Sequence, residues 1–104
     1  MHNITILQNL IQQIIEIVHP LKIILFGSAA RGEWKEGSDF DLMVVVPNGF
    51  HCRKTAQKLY ESIHGIKIPF DIVVTTPSTL RKHKTTFGFV YHYALKEGKE
   101  LYAA

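Results

Sequence analysis

The chain has 104 residues, enough for a single domain that buries roughly two-thirds of its unfolded surface. Hydrophobic residues make up 46% and charged residues 20%, which excludes a disordered or fibrous chain. A net charge of +3 suits an anionic ligand such as a triphosphate, an acidic partner or nucleic acid without selecting one, and a lone Cys52 excludes an internal disulfide.

From Ile4 to Val18, the apolar residues Leu7, Leu10, Ile11, Ile14, Ile15 and Val18 keep to one helical face. Gln8, Gln12, Gln13 and Glu16 interrupt any run long enough to span a bilayer, and the Met-His-Asn start lacks the features of a signal peptide. A soluble, cytoplasmic protein is expected. Pro20 predicts the helix end at His19, because proline drives the residue before it towards extended backbone. Lys22 to Phe26 then reads as a short buried strand that stops at Gly27. After a charged connection from Ser28 to Ser38, Asp41 to Val46 gives a second strand, closed by a Pro47-Asn48-Gly49 turn.

Cys52, Ala56, Leu59, Tyr60 and Ile63 recur at helical spacing, predicting a second helix with these residues on its apolar face and Gly65 as its breaker. Phe70 to Thr75 supplies a third strand, and Thr76-Pro77 opens a short basic helix from Ser78 to Lys84. A last helix from about Gly88 to Glu97 ends at Gly98, leaving Leu101-Tyr102 to dock as a tail or edge strand. The order predicts an α/β chain of the α+β kind, a small mixed sheet with helices packed on one face.

The candidate chemistry gathers at one end of that sheet. Gly27 and Ser28 follow a buried strand and open a turn whose free N–H groups favour an anion such as phosphate. Glu33 stands where a P-loop requires lysine, which disfavours a Walker-type site, and without a G-x-G-x-x-G run a dinucleotide fold has no support. Asp39 and Asp41, one residue apart on a strand, point to one side while Phe40 and Leu42 point to the other. Two such carboxylates repel, and a hard divalent cation, magnesium or manganese, resolves the repulsion.

If the first two strands are antiparallel, Gly27 lies beside Asp41; if the 51–63 helix is a crossover, the third strand runs parallel to the second and brings Asp71 to the same edge. Three carboxylates beside a glycine-serine anion site suit in-line attack at phosphorus, with two metals about 3.5–4 Å apart clamping the attacking and leaving oxygens. Asp71 can also accept the acceptor's proton. Taken alone, Asp39 reads as a turn cap and Asp71 as a solvated strand end; their combination with Asp41 carries the functional reading. Arg31 either neutralises phosphate or makes a surface ion pair, Trp34 reads as a loop anchor, and Arg81, Lys82, His83 and Lys84 read as a solvated helix face. The six histidines lack ligand spacing.

Gly27-Ser28, ten residues, then Asp39-Phe40-Asp41, with Phe70-Asp71-Ile72 later, resembles the minimal nucleotidyltransferases of the DNA polymerase beta superfamily. The preceding helix, the flanking Leu25-Phe26, Ala30-Arg31-Gly32 and Ser38, and the terminal region from Leu95 to Tyr102 are similar too, so the likeness covers nearly the whole chain. The resemblance implies a nucleotidyltransferase fold, with Gly27, Ser28, Arg31 and Ser38 toward the triphosphate of ATP. It implies Asp39, Asp41 and Asp71 as magnesium ligands, with Asp71 also as base. Ala29 departs from the arginine common there. Members of this kind pair with an all-helical HEPN ribonuclease toxin, and the resemblance implies an antitoxin that transfers AMP from ATP to a toxin tyrosine. The rival expectations are a catalytically silent module that neutralises its HEPN partner by occlusion, and a transferase for a small-molecule acceptor.

Overall fold

The computed structural model describes residues 2–27, 30, 39–83 and 98–104. Helix α1 (His2–Val18) buries Leu10, Ile14 and Val18, three residues spaced four apart, and leaves Leu7, Ile11 and Ile15 half-buried beside them. It is not long and apolar enough to cross a membrane, nor is any other helix among the described residues. The helix ends where proline was expected to end it, but by a different device. His19 is not extended; it takes the left-handed conformation, φ 47°, and its N–H donates to the Ile15 carbonyl at 2.9 Å. Satisfying an orphan carbonyl of the last turn outweighs the preference for extended backbone before Pro20.

Strands β1 (Lys22–Phe26) and β2 (Phe40–Val45) pair antiparallel, β3 (Phe70–Thr75) runs parallel to β2, and β4 (Lys99–Ala103) pairs antiparallel with β1. The sheet order is β3-β2-β1-β4, so the C-terminal segment forms the edge strand expected of Leu101-Tyr102. Helix α2 (Cys52–Ser62) makes the crossover that a parallel β2-β3 pair requires. Its first turn is closed by His51, whose Nδ1 accepts the Lys54 N–H at 3.2 Å.

Strand alternation divides the sheet into two faces. Ile23, Leu25, Phe40, Leu42, Val44, Ile72 and Val74 join Leu10, Ile14, Leu59 and Ile63 in one core, covered by α1 and α2. Ile24, Phe26, Met43 and Val45 form a second cluster on the opposite face, joined by Val73 and by Leu80 of α3 (Pro77–His83). Two helices thus pack on one face, as expected, and the short third sits on the other. One position in α2 departs from the helical reading. Tyr60 is 47% exposed, whereas Thr55 is buried, its hydroxyl donating to the His51 carbonyl at 2.9 Å. A threonine satisfied on its own helix can take a core position that an aromatic leaves. The helix expected from Gly88 to Glu97 lies outside the described residues.

Candidate active site

The edge where β1 ends and β2 and β3 begin collects the acids. Asp41 stands in register with Phe26 on one side and Asp71 on the other, so antiparallel and parallel pairing together place the end of β1 and the starts of β2 and β3 in one row. Asp41 lies on the strand face of Met43 and Val45, opposite Phe40 and Leu42, as the alternation predicts. Asp39 precedes β2 by one residue and is exposed, Asp71 is exposed, and Asp41 is half-buried. Burial raises the Asp41 carboxyl above its usual value of 3.8, and the negative charges of Asp71 and then Asp39 raise it further. Asp71 and Asp39 therefore both lie within electrostatic reach of Asp41.

Gly27 closes the row. It adopts φ 75°, and a Cβ placed on it would lie 2.5 Å from Asp41 Oδ2. The backbone conformation favours glycine at this position, and the missing side chain lets the Asp41 carboxylate lie against the turn. Ser28, Arg31 and Ser38, expected on the triphosphate, lie outside the described residues, as does Trp34. Among the described residues, no group of three His, Cys, Asp or Glu side chains is gathered closely enough to hold a metal ion. The donor chemistry nevertheless fits a hard cation, because the repulsion concentrated on Asp41 is what a divalent ion between carboxylates would relieve. A concavity of about 450 Å³ is elsewhere, at the far ends of the strands, lined by Lys22, Val45, Pro77, Leu80 and Arg81. It does not meet the acids.

The shifted carboxyl makes a stability prediction. A raised folded pKa means that ionising Asp41 opposes folding; the cost is complete above that pKa, fades as pH falls towards 3.8, and is absent below it. Asp41→Asn is therefore expected to melt a few degrees above the parent at pH 7 without divalent ions, and to lose that advantage near pH 4. Thermal melts across this range check it, and a variant that melts lower at pH 7 would overturn the electrostatic reading.

A mixed sheet with acids at the start of its parallel strands β2 and β3, beside a glycine turn, agrees with the nucleotidyltransferase fold that the sequence resemblance implies. The family model described as nucleotidyltransferase domain matches residues 7–101, and the chain belongs to that family. A candidate protein adenylyltransferase of Methanocaldococcus jannaschii is 32% identical over 66 residues, an alignment covering 64% of this chain and 66% of that protein. The chain thus spans just under two-thirds of that relative. A candidate nucleotidyltransferase structure from Sulfolobus solfataricus superposes with a TM-score of 0.65 at 16% identity, covering 95% of this chain and 78% of the other. A toxin-antitoxin structure with AMP-PNP superposes with a TM-score of 0.60 at 24% identity, covering 93% and 73%. At these identities the two structures establish the shared fold.

Helical spacing placed Tyr60 on the apolar face of α2 but did not connect it with this edge. It meets Phe70 and Ile72, which flank Asp71, and no local pattern connects residues so far apart in the chain.

Proposed function

We propose that the protein transfers AMP from ATP to a tyrosine hydroxyl of a HEPN ribonuclease toxin and acts as its antitoxin. The observation that supports this reading is the row Gly27, Asp41, Asp71 with Asp39 beside it, three acids at one sheet edge next to a glycine turn. The relative named as a candidate protein adenylyltransferase favours a protein acceptor, and the toxin-antitoxin neighbour with AMP-PNP favours an adenine nucleotide and a toxin partner.

Asp39, Asp41 and Asp71 would hold magnesium, which supplies charge neutralisation at the phosphates and the leaving oxygen. Gly27 lets the Asp41 carboxylate lie against the turn, and Ser28, Arg31 and Ser38 are assigned to the triphosphate. The tyrosine oxygen forms a bond to the α-phosphorus while the bond to the α–β bridging oxygen breaks, releasing pyrophosphate. Asp71 takes the phenolic proton. A phenol with a pKa near 10 is a weak nucleophile at neutral pH, so a positioned carboxylate lowers the barrier to proton loss.

Incubating the protein with ATP, magnesium and the co-encoded helical partner is expected to add AMP to a partner tyrosine, read by mass spectrometry, with Asp71→Asn suppressing the addition. A partner neutralised without modification would establish occlusion instead, and AMP on a small molecule would establish the other transferase class. Nucleotide affinity is expected to fall by at least about tenfold when magnesium is removed, since the acids then repel the phosphates. Titration calorimetry with and without the ion checks this, and equal affinities would exclude a metal site at the three aspartates.

A further inference from the structure

The geometry points to Tyr60 as a positioning residue that holds Asp71 in register with Asp41 by gripping the residues on either side of it. The inference rests on the role proposed above for Asp71. The two strand-borne acids are not equally supported. Asp41 lies on β2, which is bonded to β1 on one side and β3 on the other, whereas Asp71 lies on β3, at the edge of the sheet. An edge strand presents backbone groups without ladder partners, and such strands open most readily. A ligand or base must be held within about 0.5 Å of its working position, so an unsupported edge is a poor place for one.

Tyr60 supplies what the edge lacks. Its hydroxyl accepts the Ile72 N–H at 2.7 Å, and its ring stacks on Phe70 with centroids 5.8 Å apart and planes 8° from parallel. Residues 70 and 72 are thus both fixed, one by the ring and one by the hydroxyl, and residue 71 lies between them. The grip is anchored. Tyr60 follows Leu59, which is fully buried, and Ile63 is buried one turn later, so α2 ties the phenol to the main core. Burial of the phenol itself does not account for this arrangement, because Tyr60 is 47% exposed. A phenylalanine at this position would remove the acceptor that the hydroxyl offers to the Ile72 N–H.

The two contacts can be separated. Tyr60→Phe keeps the stack and removes the hydrogen bond; Phe70→Leu keeps the bond and removes the stack. Manganese binding, read from the electron paramagnetic resonance of the free ion, needs no turnover and can be compared in the parent and in Asp71→Asn. Each variant is expected to weaken manganese binding by about tenfold in the parent, the usual scale for residues that support a metal ligand. In the Asp71→Asn background each is expected to change binding less than twofold, because the residue they position no longer contributes. Melting curves taken alongside are expected to show folded protein throughout. In transfer assays at saturating magnesium, Tyr60→Phe should lower kcat with the KM for ATP unchanged. If Asp71→Asn weakens manganese but Tyr60→Phe does not, or does so equally in both backgrounds, the positioning role fails and the Asp71 assignment stands. If Asp71→Asn itself leaves manganese binding unchanged, the assignment fails and the positioning role with it.

Discussion

Asp39→Asn combined with Asp41→Asn is expected to reduce nucleotidyl transfer by at least about a thousandfold while the protein remains folded. Stabilisation of transition-state charge by a bound metal is worth several kcal/mol, and each 1.36 kcal/mol is about tenfold in rate. Asparagine preserves the shape of each side chain and removes the anionic donor. The fold should tolerate the exchange, because Asp39 is exposed and the Asp41 carboxyl is already driven towards its neutral form by burial and by its acidic neighbours. Loss of activity would then accompany unchanged or slightly raised stability, the combination expected where a site holds like charges together for function. Transfer from labelled ATP and thermal melts, taken on the same preparations, check both halves. Wild-type transfer by the double variant would remove the metal role from these residues, and an unfolded variant would mean that the carboxylates are structural.

Why the row of acids could be foreseen, and the contacts of Tyr60 with β3 could not, follows from the range of the forces that place them. Strands β1 and β3 fall where the apolar runs predict, from Lys22 to Phe26 and from Phe70 to Thr75. Strand β2 begins one residue earlier than expected because Phe40 pairs with Phe70 and donates its N–H to the Pro69 carbonyl at 3.0 Å. Alternation puts Asp41 opposite Leu42, and the crossover through α2 aligns Asp41 with Asp71; both are rules of period and connection, legible in a single sequence. The left-handed cap at His19 and the exchange of Thr55 for Tyr60 in α2 depend on individual hydrogen bonds, which periodicity does not encode. The side of the sheet taken by α3 is set by Leu80 packing near Met43 and Val45, a tertiary choice open to any short helix after an edge strand. Ser28, Arg31 and Ser38 remain assignments from the sequence pattern, outside the described residues.

Gly27→Ala is expected to cost about a hundredfold in transfer and about 1–2 kcal/mol in stability, by two separable routes. The stability loss comes from the backbone: φ 75° is ordinary for glycine, and an L-residue there pays the left-handed penalty, roughly 1–2 kcal/mol. The loss of transfer comes from Asp41. A new methyl 2.5 Å from Asp41 Oδ2 cannot coexist with the carboxylate where it stands, and the side chain can escape the overlap only by turning away. Turning costs the fold little, since the carboxylate is the mobile end of its side chain, but it moves a proposed metal ligand by a distance on the order of 1 Å, which can cost about a hundredfold in rate. The two routes part in the Asp41→Asn background. There the stability penalty should persist in thermal melts, because the backbone at residue 27 is unchanged, whereas any residual transfer and manganese affinity should be little altered by the added methyl. If Gly27→Ala instead retains full transfer, Asp41 does not need the position in which it packs against the glycine. The close approach of the β1 turn to the acid row would then be structural alone.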